Sequence, residues 1–307
     1  MYIMFLEGLI EKAAQQGKKC VAVAEAGDRE VLEAVAEAVR RSIANFLLYG
    51  NKEKIISLLK QGHPELLENE AITIYNCTSA KDAAREAVQA VSGRKANVLM
   101  KGNVQTSVIL KAVLDKESGL RTGSILSHTA VFEVPGYERP ILVTDAAMNI
   151  APTLEEKAAI VKNASNLAQS LGIEYPKVAP VCAVETVNPR MQATLDAASL
   201  AAMNQRGQIG GCLIDGPLAL DNAVSTLAAE HKGISGDVAG KADILLVPNI
   251  EAGNILYKSL VYFARAKVGA VICGAKAPII LTSRADSSES KLYSLAVALC
   301  SATQTQV

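Results

Sequence analysis

Short apolar runs alternate with longer amphipathic stretches from one end of this chain to the other, and no other feature restricts its fold as much. Strand-like runs fall at 20–25, 45–49, 72–75, 97–100, 125–134 and 141–145, then at 178–184, 209–215, 244–248, 270–273 and 279–282. Helical periodicity marks 30–42, 52–61, 82–91, 107–114, 155–171, 190–204, 222–231, 254–266 and 289–301. The runs are rich in β-branched residues and nearly unbroken, as in strands covered on both faces. Alternation of this kind builds α/β layers around mostly parallel sheet. One interval differs. The runs at 125–134 and 141–145 flank Pro135-Gly136-Tyr137-Glu138-Arg139-Pro140, a turn without a helix, and so predict an antiparallel pair. At 307 residues the chain exceeds one ordinary domain, and a joint is expected at 146–152.

Composition narrows the class of partner. Lys+Arg and Asp+Glu number 31 each, a formal charge of zero, which argues against a nucleic-acid backbone as the main partner. An anionic ligand must instead meet local positive groups. Cys20, Cys77, Cys182, Cys212, Cys273 and Cys300 form no CxxC pair, and several sit inside apolar runs. They read as buried free thiols of a reducing compartment. No basic leader opens the chain, and no stretch reaches the roughly 18 apolar residues of a membrane span. A soluble, cytoplasmic protein is expected, with no membrane partner.

Open parallel sheets bind ligands beyond the carboxyl ends of their strands. Five such ends carry small or polar junctions, three of them with a glycine: 101–107, 145–149, 215–217, 248–254 and 283–284. GxGxxG, GxxxxGK[ST], HExxH and GxSxG are all missing, and His63, His128 and His231 lack metal-ligand spacing, so no metal is expected. His63 and His231 read as solvent-facing; His128 reads as a half-buried strand histidine or a site residue. The last junction is the richest. Ser283 and Arg284 follow an apolar run, and Asp286 and Glu289 open an apolar helix. Backbone N–H groups at a helix start favour an anion, and a guanidinium grips phosphate with two parallel hydrogen bonds. Asp286 and Glu289 are also spaced as a capping box, and these residues alone leave both readings open.

Taken together, these segments resemble the phosphate acetyl/butyryl transferase family. The resemblance rests on KGNVQT at 101–106, DAAMN at 145–149, DGPLALD at 215–221, VAGKAD at 238–243, VPNIEAGN at 247–254 with Tyr257-Lys258, and TSRAD at 282–286. It covers about 95–301 and is closer to the butyryl branch. It implies two α/β domains of the isocitrate/isopropylmalate dehydrogenase-like kind with a cleft between them. Residues 1–146 and 276–307 form the first domain, and an inserted 147–275 carries the contact of a homodimer. It implies the reaction acyl-CoA + phosphate ⇌ acyl phosphate + CoA, with coenzyme A as substrate and no permanently bound cofactor.

Under that resemblance Arg284 and Ser283 are expected to hold the phosphoryl oxygens, with Asp286 and Glu289 as neighbouring carboxylates. Asn103, Thr106, Lys111, Ser127, His128, Asp145 and Asn149 are the candidates for binding substrate and coenzyme A. Asp145, Asn149 and Asp215 also suit a purely turn-shaping role. Two departures stand out. Ser290 occupies the position where the acetyl branch carries a carboxylate, and Lys111 replaces an arginine there. A non-catalytic module binding acyl-CoA or acyl phosphate is the second reading. A β-decarboxylating dehydrogenase is the third; it would need clustered aspartates for a divalent metal.

Overall fold

The structure is a computed structural model that describes residues 5–281 and 286–302. By its internal contacts the chain divides into two units, Leu6–Ser124 with the chain from Gly269 onward, and Ile125–Val268. The sequence placed the joints after 146 and after 275.

The first unit runs α1 (Leu6–Gln15), β1 (Lys19–Ala24), α2 (Arg29–Arg40), β2 (Ala44–Gly50), α3 (Lys52–Gly62), β3 (Ile72–Asn76), α4 (Ala80–Ser92), β4 (Val98–Lys101) and α5 (Thr106–Val113). Side-chain caps begin most of these helices: Asp28, Asn51 and Ser79 each accept a backbone N–H from the first turn of α2, α3 and α4. β1 and β4 are buried almost throughout, which explains their unbroken apolar runs. β3 lies at the edge and alternates half-buried with exposed positions. The strands pair in parallel in the order β3-β2-β1-β4.

The second unit contains β5 (Ser127–Glu133), β6 (Ile141–Thr144), α6 (Leu154–Ser170), β7 (Lys177–Cys182), α7 (Gln192–Gln205), β8 (Leu213–Ile214), β9 (Leu218–Ala219), α8 (Leu220–Val224), α9 (Thr226–His231), β10 (Ile244–Leu246) and α10 (Ile250–Tyr262). β5 and β6 form the expected antiparallel pair, with Ala130 opposite Val143. β6, β10, β7 and β8 are parallel neighbours, so the hairpin belongs with this sheet. Thr153 and Glu156 close a capping box on α6. Lys157 and Asp196 tie α6 to α7 through a buried ion pair of 2.6 Å.

The chain then returns through β11 (Lys267–Cys273), within which the division falls, to β12 (Ile279–Ile280) and α11 (Ser288–Ser301). β12 joins β4 in parallel and runs antiparallel to β11. α11 is buried from Lys291 to Cys300, on every face rather than along one stripe. It packs on α1 and α2, and its last carbonyls, of Leu299 and Ala302, accept the Lys19 Nζ at 2.6 and 2.8 Å. That ammonium neutralises the helix's negative end, while burial pulls its pKa down.

Three expectations shift for local reasons. The run 209–215 gives only two strand residues, because Gly210 and Gly211, the latter at φ +79°, break the extended chain. The helix expected at 222–231 is two helices, since Ser225 is extended and caps α9. α10 starts four residues before its expected position because Asn249 caps it. The α/β class with mostly parallel sheets is borne out.

Candidate active site

In each parallel sheet the strand carboxyl ends share one edge, so the polar junctions gather by unit. In the first unit β4 ends at Lys101, and the Asn103 N–H donates to the Glu25 carbonyl at 2.7 Å. Gly102 sits so close that a Cβ there would lie 2.1 Å from the Glu25 carbonyl oxygen. Glu25 itself follows β1 at φ +61°, a left-handed conformation that side chains resist, and burial pushes its carboxyl pKa up. Sequence reasoning missed this residue; its signal is the Glu-Ala-Gly-Asp turn directly after an apolar run. Thr106 is exposed in the first turn of α5, whose N-cap Gln105 makes no side-chain capping bond.

Lys111 lines a cavity of about 500 Å³ between α4 and α5, together with Lys81 and Arg85. Arg85 contacts Asp82 at 3.1 Å, while Lys81 and Lys111 make no ion pair among the described residues. Val88, Val108 and Ala112 supply an apolar wall. An apolar wall under three cations suits a flat ring that carries phosphates. Lys81 and Arg85 were not anticipated, because their spacing on α4 meets Lys111 only once α5 packs beside it.

Asp286 and Glu289 lie at the start of α11. The Asp286 carbonyl accepts the Lys291 ammonium, and the Tyr293 hydroxyl donates to Glu289 Oε1 at 2.9 Å. The helix is capped by Ser287, whose hydroxyl accepts the Ser290 N–H at 3.2 Å, so of the two readings left open the capping box of Asp286 and Glu289 is not the one formed. The short serine fits this turn, and Glu289 accepts the Tyr293 hydroxyl. Ser283 and Arg284 lie outside the described residues.

The second unit holds the other four candidates. Asp145 is 2% exposed, and its carboxylate accepts the N–H groups of Ala147, Met148 and Asn149 at 3.0, 3.0 and 3.2 Å. The Asn149 amide donates to Asp145 Oδ2 at 2.6 Å and to the Leu126 carbonyl at 2.9 Å. Asp145 and Asn149 thus build a closed turn, the role that aspartate and asparagine turn chemistry alone provides. Ser127 is fully buried, and its hydroxyl accepts from Asn163 of α6 at 2.9 Å. His128 is half-buried on β5, edge-on to Tyr257 of α10 with 5.8 Å between ring centres. His63, expected at the surface, has a side chain only 12% exposed beside Glu33.

Among the described residues no group of three His, Cys, Asp or Glu side chains is placed to hold a metal, and no helix is long and apolar enough to cross a membrane. Burial pushes the thiols of Cys20, Cys77 and Cys182 up to about 11, and raises those of Cys212 and Cys300. No nucleophilic cysteine is built among them.

Parallel sheets with polar turns at their carboxyl ends, and in the first unit a cavity lined by Lys81, Arg85 and Lys111, define an α/β protein of the class that binds ligands at its strand ends. The family model described as "Phosphate acetyl/butaryl transferase" matches residues 65–299, and the chain belongs to that family. It is 57% identical over 299 residues to "Probable phosphate butyryltransferase" of Bacillus subtilis (strain 168), covering 97% of this chain and 98% of the relative. The solved branched-chain phosphotransacylase from Enterococcus faecalis V583 superposes with a TM-score of 0.83 at 39% identity, over 92% of this chain and 98% of the other. The 4-hydroxythreonine-4-phosphate dehydrogenase from Klebsiella pneumoniae shares the fold alone, at TM-score 0.55 and 12% identity over 92% of this chain and all of that one (100%).

Proposed function

We propose that this chain interconverts acyl-CoA + phosphate and acyl phosphate + CoA, with butyryl or another short acyl group, in the cytoplasm and as a homodimer. The cavity rimmed by Lys81, Arg85 and Lys111 is the feature of the fold that supports this reading, since coenzyme A brings a purine and several phosphates together. The name of the 57% identical relative supports the butyryl group.

In the direction of acyl-CoA synthesis the CoA thiolate attacks the carbonyl carbon of the acyl phosphate. The C–S bond forms, the carbonyl oxygen takes the π electrons, and their return breaks the C–O bond and expels phosphate. The thiol proton goes to a base or to water. A thiol of pKa ~8.5 is about 3% thiolate at pH 7, so full deprotonation gains at most about thirty-fold, roughly 2 kcal/mol. Losing the acetyl-branch carboxylate to Ser290 is therefore tolerable. Placing two anionic ligands and stabilising the oxyanion are the larger demands. Arg284 and Ser283 hold the phosphoryl oxygens, Asn103 and Thr106 donate from the start of α5, and Lys111 takes a CoA phosphate. Asp286 and Glu289 are the carboxylates nearest the Arg284 junction in sequence, and Tyr293 orients Glu289.

The test is phosphate-dependent release of CoA thiol from acetyl-, butyryl- and isobutyryl-CoA, read colorimetrically. Release should require phosphate and favour butyryl-CoA, and Arg284→Ala should lower it about a hundred-fold or more with an unchanged melting temperature. Silence from a folded protein that still binds CoA would leave the binding-module reading instead. Lys111→Ala is expected to raise KM for acyl-CoA about tenfold, the loss of about 1.4 kcal/mol, with KM for phosphate unchanged. An equal rise in both constants would remove Lys111 from the CoA site.

A further inference from the structure

Among the described residues Lys291, in the opening turn of α11, is the most buried lysine, at 2% exposed. Other buried lysines have an evident counterpart. Lys157 has the Asp196 carboxylate, and Lys19 has the negative end of α11 with two carbonyls. Lys291 has neither. Its ammonium donates to the Asp286 carbonyl and makes no ion pair among the described residues, so two of its three N–H groups lack an acceptor there. Ser290, beside it in sequence, offers no carboxylate, and its hydroxyl lies 3.2 Å from that of Ser287. A helix start is itself partly positive, so a buried cation there is opposed twice, by desolvation and by the dipole. An arriving anion relieves both costs.

We propose that Lys291 is a second cation for phosphate, acting with Arg284 and Ser283 on the phosphoryl group of the acyl phosphate and, in the reverse direction, on inorganic phosphate. This deepens the acyl-transfer reading above and rests on it. The ammonium turns back to Asp286, which stands two residues past Arg284 in sequence. Side chains on an α-helix lean toward its N-terminus, so a lysine in the opening turn carries its charge past the helix start. Lysine binds phosphate as a point charge, where arginine adds the two-pronged grip. When the C–O bond of the acyl phosphate breaks, its electron pair settles on the phosphate oxygen. A fixed positive charge there stabilises the transition state in both directions.

The packing of α11 fixes where this charge stands. A Cβ at Gly269 of β11 would lie 2.8 Å from both the carbonyl carbon and oxygen of Tyr293 and 3.1 Å from the Ser294 nitrogen. β11 therefore crosses α11 two residues past Lys291 with no room to spare. The Ser294 hydroxyl accepts the Ala270 N–H at 2.9 Å and donates to the Ser290 carbonyl at 2.8 Å, which ties the opening turn to the same strand. Ile280 of β12 pairs with Met100 of β4, and Lys101, 5% exposed, follows Met100 directly. β12 thus ends beside one buried lysine, and α11 begins with another.

The experiment follows melting temperature across an inorganic phosphate series at fixed ionic strength, and thiol release from butyryl-CoA, for wild type, Lys291→Met and Lys291→Gln. Methionine fills the space without charge, and glutamine keeps a donor for the Asp286 carbonyl. Without phosphate, Lys291→Met should melt about 2–4 °C above wild type, because the uncompensated charge is gone. Phosphate should stabilise wild type by mass action, and both variants should need about tenfold more of it for the same gain. Both should also raise KM for phosphate about tenfold, with KM for acyl-CoA unchanged. A lysine with a structural role alone gives the reverse: a lower melting temperature without phosphate and an unaltered phosphate response. That result would overturn the proposal, as would a wild-type phosphate response in Lys291→Gln or a wild type that phosphate does not stabilise. A wild type that phosphate stabilises through Lys291 but that releases no thiol would sink the acyl-transfer reading and leave Lys291 in a phosphate site.

Discussion

Gly102→Ala is expected to lower the melting temperature by roughly 6–12 °C and to remove most phosphate-dependent thiol release. The reason is space. A Cβ at this position would stand 2.1 Å from the Glu25 carbonyl oxygen and 2.8 Å from that of Ala24, and both obstacles are backbone. Backbone cannot swing aside as a long side chain does, so β1 and β4 must separate at their carboxyl ends, at a cost of about 3 kcal/mol. The same movement breaks the bond from the Asn103 N–H to Glu25 and displaces the junction leading into α5. Alanine at a glycine also restricts the unfolded chain, which by itself stabilises by about 0.4–1 kcal/mol. Gly62→Ala isolates that smaller term, because nothing lies within 4 Å of its Cβ position. Thermal melts of the two variants should move in opposite directions. A Gly102→Ala protein as stable as wild type would show that the strand ends can part freely.

Lys157→Met is the second large effect, at about 3–5 kcal/mol. Lys157 and Asp196 have side chains 7% and 10% exposed, and they face each other across α6 and α7 at 2.6 Å. Removing the ammonium leaves the Asp196 carboxylate in the core with the Gln192 amide, at 2.8 Å, as its remaining side-chain donor. Burying an unpaired charge costs far more than the intact pair contributes, so the double change Lys157→Met/Asp196→Leu should recover most of the loss. Denaturant midpoints for the two single variants and the double complete the cycle. Equal stabilities for single and double variants would mean that water reaches Asp196 and keeps it solvated.

The sheets were readable from sequence because their central strands are buried on both faces and therefore written as unbroken apolar runs, β1 and β4 most plainly. The antiparallel hairpin was readable because a proline- and glycine-bearing turn sits where a crossover helix would otherwise be. Short pieces were not. β9 is two residues long and carries no period, and the start of α10 depends on one asparagine cap. The turn at 145–149 was visible as polar residues after a strand, but only the structure shows how many of its N–H groups one carboxylate collects. Glu25 escaped notice because backbone strain leaves little mark on residue type. Lys81 and Arg85 escaped because a cavity between two helices is a property of their packing, and neither helix announces it alone.

The buried thiols have a chemical consequence for a protein that handles acyl phosphates. Such mixed anhydrides acylate any sulfur anion they meet. At pKa about 11, Cys20, Cys77 and Cys182 each expose only about one molecule in ten thousand as thiolate at pH 7, against about 3% for a free CoA thiol. Burial thereby holds these three thiols in the protonated form that an acyl phosphate does not acylate.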